Sequence, residues 1–168
     1  MPNKMYRLSI ITSSDKGSRG EREDVSGKVI GEIMESEGYS IAECLILPDE
    51  QPLMEKELKR LCDENISDLI LTTGGTGFSP RDRTPEATFA VAERIVPGIP
   101  EAMRMHNMGV TKRAMLSRAA AAIRGKTLIV NLPGSPKAVR ENLEFILGEL
   151  KHGLDILTCN DGECGGKN

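Results

Sequence analysis

The run Thr72-Thr73-Gly74-Gly75-Thr76-Gly77 carries the strongest chemical signal in the chain. Glycines let a backbone take positive φ and bring its N–H groups close to a ligand. Successive amides of that kind form a nest for an anion. No G-x-x-x-x-G-K-[ST] occurs, so this is not a Walker A loop, and the third glycine of a dinucleotide fingerprint is missing. The glycines alone suit phosphate or heterocycle binding as well as they suit an unliganded turn. Asp82 follows five residues after Gly77, in SPRDRTPEAT, and Asp49 sits in Pro48-Asp49-Glu50. Each has an ordinary reading: Asp82 as a solvated acid beside Arg81 and Arg83, Asp49 as the N-cap of the next helix. Together, two carboxylates beside a phosphate nest are a donor set for Mg²⁺, which keeps several waters and bridges to substrate phosphates. Asp15 and Asp24 rank behind them. Ser135, in LPGSPK, marks a helix N-terminus where amides and dipole favour anions. Simple capping by Ser135 explains it equally well, and Lys137 either neutralises phosphate or is solvated.

These residues need a frame. Tyr6 to Thr12, Ile41 to Leu47, Asp68 to Thr73 and Thr127 to Leu132 read as strands. Helical spacing joins Val25, Val29, Ile30, Ile33 and Met34, then Leu53, Met54, Leu58 and Leu61. Thr84-Pro85-Glu86 opens a helix, with Thr84 as N-cap and an acid in the first turn. Another follows Ser135-Pro136 through Val139, Leu143, Ile146, Leu147, Leu150 and Leu154. MLSRAAAAIRG is ambiguous: alanines favour helix, but its Arg-Gly-Lys link to the next strand suits a hairpin. Strands alternating with helices imply a mostly parallel sheet covered on both faces. Ligands bind such sheets outside the carboxyl ends of the strands. That rule gathers Ser13-Ser14-Asp15, Pro48-Asp49-Glu50, the glycine loop and Pro133-Gly134-Ser135 onto one rim.

Composition narrows the classes. With 168 residues the chain reads as one domain. Lys and Arg total 22 against 25 Asp and Glu, a net charge of −3, which argues against a nucleic-acid-coating protein. Aromatics are 3% with no Trp, too few for base-stacking platforms. No stretch nears the roughly 20 apolar residues that span a bilayer. The apolar run at the start is too short for a signal peptide, so the expected location is the cytoplasm. Cys44 and Cys62 lie in apolar runs and read as core thiols. Cys159 and Cys164 fall in a tail, 159–168, expected to be flexible, and form only a weak zinc signal. His106 and His152 lack triad or metal partners and read as surface or packing residues. Met103, Met105 and Met108 read as core fillers or interface contacts.

The ordered set SSDKGSRGEREDVSG, the PDE turn, LTTGGTGFSPRDRTPEAT, MLSRAAAAIRGKTLIVNLPGSPK and the final amphipathic helix resembles the MogA/MoaB family of molybdenum-cofactor biosynthesis proteins, including the corresponding domain of gephyrin. The likeness runs from the first strand to about Leu157 and supports one domain over residues 1–158. It implies a three-layer α/β/α sandwich with a mostly parallel sheet, commonly a homotrimer. It also favours strand within 118–124.

The implied activity is ATP-dependent, Mg²⁺-assisted adenylylation of molybdopterin. The terminal phosphate of the pterin attacks the α-phosphorus of ATP, pyrophosphate leaves, and the product passes to a metal-inserting partner. The resemblance carries catalytic roles onto Asp49 and Asp82. It carries the substrate loop onto Gly74, Gly75, Thr76 and Gly77, with Asp15, Ser117 and Asn131, Pro133, Gly134 and Ser135 in support. A less active, MoaB-like branch alters the RD-x-TPEAT pattern. Here Arg81-Asp82 and Thr84-Pro85-Glu86 are intact, which favours the adenylyltransferase over a carrier that holds the pterin without turning over ATP.

Overall fold

The structure, a computed structural model, describes residues 4–158. The tail 159–168, with Cys159 and Cys164, lies outside the described residues. The chain runs β1 (Arg7–Ser13), α1 (Asp15–Ser18), α2 (Val25–Ser36), β2 (Ser40–Leu47), α3 (Gln51–Asp63), β3 (Leu69–Thr73), α4 (Thr84–Val91), β4 (Arg94–Ile95), α5 (Gly98–Met108), a 3-10 helix (Lys112–Leu116), β5 (Ala121–Arg124), β6 (Thr127–Leu132) and α6 (Pro136–Thr158).

The sheet order is β2-β1-β3-β6-β5-β4. β2, β1, β3 and β6 are parallel. β5 and β4 are antiparallel at the far edge. Side-chain alternation on the parallel strands builds two cores. Leu8 and Ile10 of β1, Leu69 and Leu71 of β3, and Leu128, Val130 and Leu132 of β6 pack under α2, α5 and α6. Ile11, Ile70 and Ile129, one residue out of phase, pack under α3 and α4 through Met54, Leu58, Leu61, Ala87 and Val91. This is the expected three-layer sandwich, and its inner strands are apolar on both faces because both faces are covered. No helix among the described residues is long and apolar enough to cross a membrane.

Several local expectations change. Thr84 is not the N-cap of α4: Arg83 holds that position without a side-chain bond. The Thr84 hydroxyl instead donates to Gly74 O at 3.0 Å and its amide to Gly75 O at 3.1 Å, so the start of α4 is stitched to the glycine loop. Asp49 does not cap α3 either; the cap position is Glu50, and the Asp49 carboxylate is used elsewhere. The alanine-rich segment becomes β5, paired antiparallel with β6 through a turn at Gly125 (φ 57°). Cys44 is exposed, on β2 at the edge of the sheet, where no further strand among the described residues covers it. Cys62 is half-buried, and burial pushes its thiol up to about 11, so it stays protonated at neutral pH. Met103 enters the core at 3% exposure, whereas Met105 is 77% exposed. His106 stacks on Phe145 with ring centroids 4.1 Å apart, a packing role.

Candidate functional site

The chain leaves β1 to one side, forms β2, and returns to place β3 on the other side of β1. Connections therefore diverge above β1 and β3, the crevice where open α/β sheets bind ligands. A cleft of about 750 Å³ opens there. It is lined by Ser13 at the end of β1, Asp49 after β2, Gly74 and Gly75 after β3, Asp82 before α4, and Gly134 and Ser135 ahead of α6.

Two glycines shape its floor. Gly74 (φ 87°) and Gly75 (φ 69°) both take the left-handed conformation. A Cβ on Gly74 would lie 2.5 Å from Ser13 O, and one on Gly75 would run into Thr84 Oγ1. Only glycine lets β1, the loop and α4 meet this closely. Ser135 caps α6, accepting from Ala138 N at 3.2 Å, so the ordinary capping role is real and coexists with its place on the cleft.

The two carboxylates are held differently. Asp49 Oδ1 accepts from Ser13 Oγ at 2.6 Å and Oδ2 from Asp15 N at 3.0 Å. Asp82 Oδ2 accepts from Ser79 N at 2.9 Å, while its Oδ1 takes no hydrogen bond from a described residue. Asp15 does not line the cleft. It braces Asp49 by accepting from Asp49 N at 3.0 Å and forms a two-pronged pair with Arg81 at 3.0 and 2.8 Å. The Arg81 hydrogen bond, and then the Asp49 amide, hold the Asp15 carboxyl below its usual range. Asp24 caps α2, accepting from Gly27 N at 2.9 Å and Thr12 Oγ1 at 2.8 Å.

The remaining expected site residues separate. Thr76, Gly77, Ser117 and Pro133 line a second, mainly apolar cavity of about 320 Å³ between α5, the 3-10 helix and α6. Successive residues of the two loops, Gly75–Thr76 and Pro133–Gly134, divide this cavity from the cleft. Asn131 reaches neither. It is fully buried; its amide nitrogen donates to Thr72 Oγ1 at 3.0 Å and Thr88 Oγ1 at 2.9 Å, and its carbonyl accepts from Ala120 N at 3.0 Å. That network ties β3, α4 and the approach to β5 onto β6, so Asn131 shapes the site from beneath. Lys137 is solvent-exposed and lies 3.8 Å from Glu141.

Arg22, which the sequence does not single out, lines the cleft together with Glu23, Asp24, Asp49 and Asp82. Its run, GSRGERED, is all polar, and only the placement of the 15–24 segment shows which of its charges faces inward. With four acids against one arginine on its walls, the cleft is a poor host for a bare polyphosphate. A divalent cation corrects that balance. No group of three or more His, Cys, Asp or Glu among the described residues is placed to cage a metal. A hard cation held by one or two carboxylates, with waters and substrate phosphates completing its shell, matches this donor set.

Residues 9–152 match the family model described as "Probable molybdopterin binding domain". The molybdopterin adenylyltransferase of Helicobacter pylori (strain ATCC 700392 / 26695) is 42% identical over 163 residues, covering 96% of this chain and 93% of that protein. The molybdopterin adenylyltransferase of Escherichia coli (strain K12) is 41% identical over 142 residues, 83% of this chain and 73% of that protein. Among solved structures, the molybdopterin biosynthesis enzyme MoaB of Thermus thermophilus superposes with a TM-score of 0.87 at 49% identity, covering 92% of this chain and 97% of that one. The tungsten cofactor synthesizing protein MoaB of Pyrococcus furiosus gives 0.82 at 34% identity, covering 92% and 98%.

Proposed function

The chain belongs to the molybdopterin-binding domain family, and we propose that it works there as a molybdopterin adenylyltransferase, moving AMP from ATP to molybdopterin and releasing pyrophosphate. The observation that carries the reading is the convergence of Asp49 and Asp82 on one cleft with the Gly74-Gly75 floor and the N-terminus of α6. A terminal phosphate oxygen of the pterin attacks the α-phosphorus of ATP, forming a new P–O bond. The bond from that phosphorus to the bridging oxygen breaks, and pyrophosphate leaves with its electron pair. The nucleophile is already ionised at neutral pH, so no side chain need act as base or form a covalent adduct.

The protein's share is positioning and charge stabilisation. Backbone amides at Gly74 and Gly75 and the N-terminal amides of α6 orient phosphate oxygens. Arg22 adds one positive charge to the cleft wall. Asp49 and Asp82 would hold Mg²⁺, which when bound offsets phosphate charge and stabilises the departing pyrophosphate. The neighbouring apolar cavity receives one of the two ring systems, so the reacting phosphates sit where the two loops divide the spaces.

Assembly and context extend the reading. The exposed Met105, Val110, Met115 and Leu116 lie in one stretch of chain and offer an apolar contact surface for a homotrimer. The adenylylated product passes to a metal insertase in the cytoplasm. The test is isotopic: ATP labelled at the α-phosphate is incubated with the protein, molybdopterin and Mg²⁺. Label transferred to the pterin supports the enzyme; bound pterin without transfer supports a carrier.

A further inference from the structure

Arg118, between the 3-10 helix and β5, spends its hydrogen-bonding capacity on one segment. Its backbone N donates to Thr76 O at 3.0 Å. Its Nε donates to Gly77 O at 2.8 Å and its Nη2 to Asp82 O at 2.8 Å. Its Nη1 pairs with Glu86, in the first turn of α4. One residue thus ties both ends of the 76–82 loop to the helix that follows. The loop needs the tie, because Phe78 to Arg81 are exposed and lack regular structure. Arg118 is itself held: Arg104 of α5 donates to Ser117 O at 3.3 Å and Ala119 O at 3.2 Å, on either side of it. Burial works to raise the Glu86 pKa, but the Arg118 hydrogen bond, a backbone hydrogen bond and the charges of Arg118 and Arg83 together outweigh it and hold the carboxyl below its usual range. Neither Arg118 nor Glu86 lines the ligand cleft; both border a separate depression that shares Asp82 with it.

We propose that Arg118, oriented by Glu86, is a positioning residue that sets the backbone carrying Asp82, and so acts on turnover rather than on ligand affinity. The inference rests on the reading of Asp82 as a carboxylate of the reaction. A planar guanidinium fork reaches three acceptors at once, which a lysine ammonium on a flexible stem does not reproduce.

The test compares wild type, Arg118→Lys, Arg118→Gln, Asp82→Asn and the Arg118→Lys/Asp82→Asn double variant. Arg118→Lys is expected to lower kcat on the order of 10- to 100-fold, as for a misplaced catalytic group, and to raise the Mg²⁺ needed for half-maximal rate. KM for ATP should move less than about 3-fold. In the Asp82→Asn background the same substitution should add less than about 3-fold, because both act through one group. Additive losses, or a raised KM with kcat unchanged, overturn the proposal. Amide hydrogen exchange supplies a readout free of turnover: Arg118→Lys and Arg118→Gln should speed exchange at Ser79 and Asp82, whose amides are bonded inside the loop. Unchanged exchange there overturns the proposal whatever the activity. An inactive wild type with accelerated loop exchange in the variants would defeat the adenylyltransferase reading while leaving Arg118 as the loop's anchor.

Discussion

Asp15 and Asp49 hold each other by reciprocal hydrogen bonds: Asp15 N donates to Asp49 Oδ2 at 3.0 Å, and Asp49 N donates to Asp15 Oδ1 at 3.0 Å. The pair joins the ends of β1 and β2, strands that run in parallel and cannot be linked by a tight turn. Asp15 also receives Arg81, one residue before Asp82. A single carboxylate outside the cleft therefore connects the segments that carry both candidate metal ligands.

The first expectation concerns that link. Asp15→Ala should lower turnover by about 10-fold through a loosened Asp49. Asp15→Asn should lose less, because its amide oxygen still accepts from Asp49 N. Steady-state rates for the two variants decide it; equal rates for Asp15→Ala and wild type would remove Asp15 from the account.

Asp82→Asn and Asp49→Asn keep shape while weakening metal coordination. Each should cut the adenylylation rate on the order of 100-fold, within the range for lost electrostatic stabilisers. Pterin affinity should stay nearly constant, since the glycine amides and Ser135 remain. Raising Mg²⁺ should restore part of the rate. A titration in which neither variant responds to Mg²⁺ would argue that the carboxylates are not its ligands.

Gly75→Ala places a methyl against Thr84 Oγ1 at a residue with φ 69°. The expected cost is about 1–3 kcal/mol for the strained backbone, with loss of ligand binding as the loop shifts. Denaturant midpoints and binding isotherms measure the two effects separately.

Asn131→Ala tests whether this residue shapes the site or touches ligand. Its three side-chain hydrogen bonds are all internal, and the variant strands Ala120 N and Thr72 Oγ1 in the core. The expected loss is about 2–4 kcal/mol, seen as a lowered thermal midpoint. Unchanged stability with weakened pterin binding would return Asn131 to the ligand.

Acid should destabilise the fold through identifiable carboxylates. Burial works to raise the Asp68 pKa, but hydrogen bonds from the Arg7 side chain and amide outweigh it and hold the group below its usual range. Its folded pKa is below its unfolded one, so the unfolded chain binds protons first. The stabilisation is complete above the unfolded value near 4 and drains away as pH falls through the folded one. Thermal midpoints should fall steeply below about pH 4, and Asp68→Asn should flatten that limb. An unchanged slope would assign acid sensitivity to other groups.

The sequence exposed the parts that rest on local pattern. Strand alternation and helical spacing placed β1, β2, β3 and β6 and the start of α6 within a residue or two of their observed bounds, and the strand-end rule put Asp49, Gly74, Gly75, Gly134 and Ser135 on one rim. What stayed hidden depends on tertiary contact. Thr84 reads as a cap, yet its hydroxyl serves Gly74 because the loop folds back over α4. Asn131 reads as a loop-edge ligand, yet it is consumed by a buried network across three elements. α5 follows Pro97, carries Pro100 in its first turn and ends at Gly109, and this punctuation masks its helical pattern. Arg22 and Arg118 are two arginines among many until the fold aims one into the cleft and the other at the loop.

Pyrophosphate release tests the central claim most directly. Purified protein is mixed with ATP and Mg²⁺, with and without molybdopterin, and pyrophosphate is followed alongside pterin binding. The expected result is release that requires molybdopterin, matches adenylylated product mole for mole, and collapses in Asp82→Asn while pterin still binds. Pterin binding without pyrophosphate in the wild type would contradict the adenylyltransferase and leave a carrier.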